Sequence, residues 1–149
     1  MQDFGCREGY PQTGYPMILL EAVSEWNERL VIDDDGRVCY GYLFIEGRCV
    51  SDVWLYNVEE APLTPEWKLP DAKDRMPFLN PKELCTEESF LPLEASGEVR
   101  IYWGELEGRL QAAIHLRGQY HALLTEGEKP GWCRLAAQDG PAAKVLRRK

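Results

Sequence analysis

Short turns that end in glycine divide this chain, and the segments between them alternate apolar and polar side chains. The turns are Glu46-Gly47, Glu107-Gly108 and Arg117-Gly118. Glycine readily adopts the positive φ that a tight hairpin turn requires. An apolar period of two is typical of a β-strand with one buried face. The pattern therefore predicts antiparallel hairpins as the main element of the fold.

The first predicted hairpin joins residues 37–45 to residues 48–57. Aromatic or β-branched side chains occur on both of its faces, for example Tyr40 on one and Trp54 on the other. Strands that are buried on both faces have this composition. We therefore expect the hairpin to be covered on both sides.

The last third of the chain predicts a meander of strands. Val99, Ile101 and Trp103 alternate along the first strand. They would share an inward face with a matching set on the next strand: Ala112, Ile114 and Leu116. Further strands are predicted over 119–125 and 132–136, and the basic tail 142–149 is expected to fray.

The N-terminal part of the chain predicts a long helix. Residues 1–16 are rich in glycine and proline, which is typical of a loop. From Met17 to Leu30 the chain turns amphipathic, with acidic and polar residues on the other face. Its apolar positions recur at helical spacing: Ile18, Leu19, Ala22, Val23, Trp26 and Leu30.

Residues 58–81 hold five of the ten prolines and predict a long loop, which is either a functional loop or a wrap over the core. Asn80 followed by Pro81 is typical of a helix start, so we expect a short helix that ends near Glu88. Together the elements predict a single α+β domain over residues 1–149. In that domain the N-terminal helix packs on a mainly antiparallel sheet, which is built from the hairpin and the C-terminal meander.

The charge is acidic and unevenly distributed. The formal net charge is −8. Residues 1–35 carry eight acids and two bases, whereas the chain from residue 93 onward carries seven acids and nine bases. Such a chain lacks the basic footprint of a protein that binds phosphate backbones, so we expect no nucleic-acid partner. An acidic field instead favours encounter with a basic protein.

The sequence predicts a cytoplasmic protein with no membrane partner. The N-terminus lacks the basic and apolar regions of a secretory signal. The longest apolar run, residues 15–20, is far shorter than the ~20 residues of a membrane span. Five cysteines without a C-x-x-C pair fit reduced thiols better than a disulfide framework.

No motif for nucleophilic catalysis or phosphate binding occurs, and we expect no cofactor and no metal. His115 and His121 are the only histidines, and they could face each other across the Arg117-Gly118 turn. A general base or a metal ligand could be built there, but histidines in strands are more often structural. The acidic turn Asp33-Asp34-Asp35-Gly36 lacks the ligand spacing of an EF-hand loop, so we interpret it as an exposed negative projection.

The most distinctive part of the chain combines aromatic and acidic side chains. Trp and Tyr beside carboxylates suit an interface with aromatic anchors and a charged rim. Trp67 is better explained as a staple between loop and sheet, whereas Tyr56, Glu59, Glu60 and Glu66 are expected to be exposed. With the acidic turn, the candidate partner-binding residues are Asp33, Asp34, Asp35, Asp52, Tyr56, Glu59, Glu60, Glu66 and Trp67.

Three segments between residues 52 and 81 resemble a known class of protein. They are Asp52-Val53-Trp54-Leu55-Tyr56-Asn57, then Pro65-Glu66-Trp67, then Arg75-Met76-Pro77-Phe78-Leu79-Asn80-Pro81. They are similar to immunity proteins of bacterial polymorphic-toxin loci, which protect against toxins delivered by contact-dependent or type VI systems. The resemblance implies a non-enzymatic inhibitor. It would occlude the active site of a cognate, basic, cytoplasm-acting toxin in a 1:1 complex.

Two other hypotheses stay open. A phage-encoded inhibitor or nucleic-acid mimic of a host defence enzyme would carry carboxylates spaced along one face like phosphates. A small hydrolase or transferase would need a pocket that converges on His115 or His121.

Overall fold

Two mainly antiparallel sheets form the fold in the computed structural model, which describes residues 18–24 and 28–146. The first sheet has its strands in chain order: β1 (Ile18–Val23), β2 (Arg29–Asp34), β3 (Val38–Ile45) and β4 (Arg48–Asn57). The second sheet also follows chain order: β5 (Val99–Leu106), β6 (Arg109–Leu116), β7 (Gln119–Thr125), β8 (Trp132–Cys133) and β9 (Lys144–Val145). Only β8 and β9 pair in parallel.

Helix is confined, within the described residues, to four short pieces between β4 and β5. One is the α-helix α1 (Ala72–Arg75), and the other three are 3-10 turns: Glu66–Lys68, Lys82–Leu84 and Ser96–Glu98. The helix expected to begin at Asn80 is thus a single 3-10 turn. Cys85 follows it and pairs with Ala136 as an isolated β-bridge.

The predicted N-terminal helix is wrong. Within the described part of residues 17–30, β1 and the start of β2 form an antiparallel hairpin. The Ser24 N–H donates to the Glu28 carbonyl at 2.8 Å across the turn. The predicted loop over 1–16 lies outside the described residues, as do residues 25–27.

Burial on both faces of β2 explains why a strand forms here. Leu30, Val31 and Ile32 are all fully buried, because β2 lies between β1 and β3. A helix would bury one stripe of side chains, whereas a central strand buries both faces. Long-range pairing with β3 therefore outweighs the weak local preference for helix.

The predicted hairpin and meander are confirmed as elements. β3 and β4 pair around Glu46-Gly47, and every β3 residue except Ile45 is buried. The predicted placement of Tyr40 and Trp54 on opposite faces is wrong, because the register shifts between Leu43 and Phe44 and sets Tyr40 directly opposite Trp54. In the second sheet Ile101 pairs with Ile114 and Trp103 with Ala112, which is the register that the alternation predicts.

One core is shared by the two sheets. Gly41 on β3 lies against the Ile114 side chain, where an added Cβ would be 3.2 Å from Cδ1. The free edge of β4 is joined to the second sheet by backbone bonds. The Gly131 N–H donates to the Asp52 carbonyl at 2.7 Å, and the Trp54 N–H donates to the Ala142 carbonyl at 2.9 Å.

The tail that was expected to fray is held in place as far as the structure describes it. Ala142 and Ala143 are buried, and Lys144–Val145 forms β9. β4 and the segment of β8 both supply backbone partners to residues 142–146. Residues 147–149 lie outside the described part of the chain. None of the described helices is long and apolar enough to cross a membrane.

Candidate protein-binding site

Most of the sequence-predicted partner-binding residues do not lie on the surface. Five of the nine are buried: Asp33, Asp34, Asp52, Tyr56 and Glu66. Asp35 and Trp67 are partly exposed, and of the nine residues only Glu59 and Glu60 are exposed. The expectation that Tyr56, Glu66 and the whole acidic turn face solvent is therefore wrong.

The acidic turn uses its carboxylates inside the fold. Asp34 accepts the Tyr56 hydroxyl at 2.9 Å and the Gly36 N–H at 2.8 Å. Asp35 accepts the N–H groups of Arg37 and Val38 at 2.9 and 3.0 Å. Carboxylates that satisfy turn donors in this way shape the backbone, and their oxygens are directed to donors of this chain.

Glu66 holds the proline-rich loop on the first sheet. Its carboxylate accepts Arg37 Nη2, Arg75 Nη1 at 3.4 Å and the Leu79 N–H at 2.8 Å. The side chain is nearly inaccessible to solvent. A buried carboxylate with these three donors is a structural anchor.

Asn57 joins two of the three segments that resemble immunity proteins, residues 52–57 and residues 75–81. Its Oδ1 accepts Trp54 Nε1 at 2.8 Å and the Asn80 N–H at 3.0 Å, and its Nδ2 donates to the Asn80 carbonyl at 2.9 Å. Tyr40 adds a bond from its hydroxyl to the Phe78 carbonyl at 2.8 Å. The polar side chains of these segments therefore hold the proline-rich loop on the first sheet.

The two histidines do not face each other. A register shift between Ile114 and His115 places them in different surroundings. His121 is fully buried, with Nε2 at 2.8 Å from the Leu55 carbonyl oxygen. His115 is half-buried between the rings of Tyr102 and Tyr120, whose centroids are 4.8 and 5.3 Å away.

Burial of His121 makes stability depend on pH. Desolvation lowers the pKa of His121 from 6.5 to about 4. The unfolded chain therefore binds a proton first as the pH falls, and the folded state loses stability between pH 6.5 and about 4. We expect this group to account for a loss of about 3 kcal/mol at the lower limit. Urea unfolding at several pH values measures it.

The matched variants for that experiment are His121→Gln and His115→Gln. The His121 variant should lose less stability than the parent between pH 6.5 and 4, whatever its stability at neutral pH. The His115 variant controls for the loss of an imidazole outside the core, because His115 is half-buried between the Tyr102 and Tyr120 rings. An unchanged pH dependence in His121→Gln would contradict the assignment.

A small cavity of about 140 Å³ lies beside β4 and is lined in part by Trp54, Asn57, Cys85 and Phe90. Burial raises the pKa of the Cys85 thiol to about 11, so it is not activated as a nucleophile. No group of three or more His, Cys, Asp or Glu side chains suited to a metal ion occurs in the described part of the chain. The cavity therefore holds no activated thiol and no metal-binding cluster formed by described residues.

An open concavity lies between strands β1 and β5, and we call it the edge groove. Its wide end has a volume of about 540 Å³, and a shallower part of about 310 Å³ continues along β5. Its main lining residues are Ala22, Val23, Ser24, Glu28, Ile101, Trp103, Glu105, Leu110 and Glu126.

The edge groove combines apolar walls with a carboxylate rim. Val23 is 53% exposed, and Ile101 and Trp103 are partly exposed. Glu28, Glu105 and Glu126 surround the wide end. An exposed apolar concavity with a charged rim is typical of a protein-interaction site.

Nearby bases do not neutralise this rim. Arg29 pairs with Glu21 at 2.8 Å and Arg109 pairs with Glu128 at 2.9 Å. Glu105 has no hydrogen-bond or ion-pair partner within residues 18–24 and 28–146. Arg100 lies at the shallower end. The wide end is therefore negative, and the shallower end carries one positive charge.

Three residues of the β5 part of the chain belong to a set that the sequence predicts to face the core. Val99, Ile101 and Trp103 were predicted as an inward-facing set. Val99 is buried, whereas Ile101 and Trp103 remain half-exposed, because β1 does not close over the edge of β5. Two edge strands that face each other across a gap leave no signal in the local sequence pattern.

Comparison with models of known protein families finds no match, and no curated protein or solved structure matches the chain either.

Proposed function

We propose that this chain is a cytoplasmic immunity protein. It binds a cognate, basic protein toxin in a 1:1 complex and occludes the toxin's active site. The observation that carries the proposal is the edge groove, whose exposed apolar side chains lie beside carboxylates that form no ion pair within the described residues. Of these, Glu28 and Glu126 each accept one hydrogen bond, from Ser24 Oγ and from the Leu110 N–H. The resemblance of the segments between residues 52 and 81 supports the class of protein, and the groove supplies a surface for the partner.

The charge of the groove favours a basic partner. Glu28, Glu105 and Glu126 concentrate negative charge at one end, and the whole chain has a net charge of −8. Such a field speeds the encounter with a basic protein, while apolar contacts at the centre supply most of the affinity. The proposed binding site is therefore the groove between the edges of β1 and β5, and not the acidic loop that the sequence predicts.

The other two hypotheses have weaker support. A nucleic-acid mimic needs a row of exposed carboxylates, but Asp33, Asp34, Asp52 and Glu66 are buried. A hydrolase or transferase needs a reactive histidine in a pocket. His121 is inaccessible to solvent, and His115 packs between two tyrosine rings.

Co-expression with the product of the neighbouring gene tests the proposal. We expect the tagged chain to co-purify with that protein at equal stoichiometry and to restore growth of the host. Glu105→Lys should weaken the complex at least tenfold, because it places a positive charge at the rim that a basic partner contacts. Titration calorimetry on the purified pair measures the loss.

Glu60→Lys is the matched control, since Glu60 is also a glutamate, is exposed and belongs to the sequence-predicted site. It should change the affinity less than threefold. If Glu60→Lys weakens the complex and Glu105→Lys does not, the acidic loop is the interface instead of the groove. A neighbour that is neither toxic nor bound would contradict the proposed function itself.

A further inference from the structure

We infer that the edge groove receives an extended segment of the partner protein, which adds a strand to the open edge of β5. This inference rests on the proposed function for the identity of the partner, but the open edge is a property of this chain alone. In this binding mode the partner forms main-chain hydrogen bonds with Ile101, Trp103 and Glu105. Every second side chain of the partner's strand enters the groove.

The hairpin that contains β5 determines which backbone groups are free. β5 and β6 are joined by a two-residue turn with positive φ at both positions, Glu107 at 52° and Gly108 at 79°. In such a hairpin the closing pair, Leu106 and Arg109, exchanges hydrogen bonds, and bonded pairs then alternate along the ladder.

That alternation leaves every second residue of β5 with its N–H and carbonyl directed away from β6. Counting back from Leu106, these residues are Glu105, Trp103 and Ile101. β5 pairs with β6 alone among the described strands, and β1 pairs with β2 alone. An unpaired edge of this length is a template for another strand.

The same three residues direct their side chains toward the groove. Ile101 and Trp103 are opposite Ile114 and Ala112 on the inner face of the sheet, and all three line the groove. In an antiparallel pair, directly opposite residues point to the same face. A strand bonded to β5 would therefore place every second side chain against Trp103 and Ile101.

Charge determines the chemistry of that strand. The inward residue opposite Glu105 meets the carboxylates of Glu28 and Glu126 as well, and it should be lysine or arginine. The next two inward residues meet the apolar walls and should be aliphatic. A second copy of this chain would bring its own carboxylates against this rim, so like-charge repulsion disfavours self-association through the groove.

A synthetic peptide tests the inference without the toxin. The probe is Thr-Lys-Thr-Val-Thr-Val-Thr with blocked ends, in which lysine and the two valines take the inward positions of an antiparallel strand. We expect it to bind the isotope-labelled full chain with a Kd below about 1 mM. At saturation, amide exchange at Ile101, Trp103 and Glu105 should slow at least tenfold, as measured by NMR.

Two methylated peptides separate backbone pairing from simple burial. N-methylation of both valines removes the N–H groups that face β5 and should abolish binding. N-methylation of the two threonines that precede the valines removes N–H groups that point away from β5, and it should leave binding within threefold. Equal binding by the two methylated peptides would overturn strand addition.

A charge exchange tests the polarity of the groove. Replacing the peptide lysine with glutamate should weaken binding to the parent chain at least fivefold. The Glu105→Lys chain should reverse this preference and bind the glutamate peptide more tightly. If the preference does not reverse, Glu105 does not meet the inward residue, and the proposed register is wrong.

The remaining outcomes also decide the inference. Absence of peptide binding at millimolar concentration overturns it, even if co-expression yields a toxin complex, and the proposed function then stands with another binding mode. Strong protection of the three amides before peptide is added would mean that this chain already covers the edge, which also overturns it. If the peptide binds but no toxin complex forms, strand addition is supported and the proposed toxin partner is contradicted.

Discussion

Replacing Glu66 with alanine should lower the free energy of unfolding by about 3 kcal/mol, because it leaves two arginine side chains and a buried N–H without their shared acceptor. Glu66 is buried, and it accepts hydrogen bonds from Arg37, Arg75 and the Leu79 N–H. Arg37 is partly accessible to water, which keeps the loss below that of a fully buried pair. Urea unfolding followed by tryptophan fluorescence measures the change.

Glu59→Ala is the matched control for this experiment. Glu59 also pairs with Arg37, at 3.5 Å, but its side chain is 57% exposed. Exposed ion pairs contribute little, so this variant should lie within about 0.5 kcal/mol of the parent. Glu66→Gln keeps the shape of the side chain and should fall between the two. Equal losses at Glu59 and Glu66 would contradict the anchoring role.

Replacing Gly131 with alanine should cost about 3 kcal/mol, because the new methyl group would overlap a backbone oxygen that cannot move aside. An added Cβ would lie 2.4 Å from the Leu123 carbonyl oxygen. Gly131 itself is fixed by its bond to Asp52 of the first sheet at 2.7 Å and by the Lys144 N–H, which donates to its carbonyl at 2.9 Å. Thermal unfolding by circular dichroism measures the loss.

Gly104→Ala provides the comparison. Nothing lies within 4 Å of a Cβ added at Gly104, and the backbone there lies outside the left-handed region. This variant should stay within about 0.5 kcal/mol of the parent. If Gly131→Ala unfolds at the parental temperature, the close approach of residue 131 to β7 is not maintained in solution.

The local pattern was a good guide to hairpins. Glu46-Gly47 and Glu107-Gly108 fix two-residue turns. Beside Glu107-Gly108 alternation also fixes the register of the strands, whereas two register shifts interrupt the β3–β4 ladder beside Glu46-Gly47. The match of Ile101 with Ile114 follows from these two features alone. Turn chemistry and a period of two are short-range properties, so the sequence carries them directly.

The same kind of reasoning failed at the N-terminus. The apolar residues near Leu19, Ala22 and Val23 fit a helical stripe as well as two strands. The choice depends on β3, which pairs with β2 and buries Leu30 and Ile32. The local sequence pattern does not include the effect of pairing with β3, so it does not distinguish a helix from a hairpin.

The candidate site depended even more on the tertiary structure. Carboxylates near Trp and Tyr suggested an exposed interface, yet Glu66 and Asp34 are bonded to Arg37 and Tyr56 inside the fold. Whether a carboxylate faces a partner or an internal donor depends on what the chain brings to it from tens of residues away. Composition alone cannot show which of these applies.

The sequence by itself determined a β-rich chain of glycine-terminated hairpins, a strongly acidic charge and a proline-rich segment that lies over the core. Only the tertiary structure decided that Asp34, Tyr56 and Glu66 are internal anchors and that β1 and β5 leave facing edges open. The physical reason is that turns and alternation act between neighbours. Burial and strand pairing, in contrast, depend on contacts between residues that are distant in the sequence. The edge groove exists only because the two sheets pack with β1 and β5 side by side.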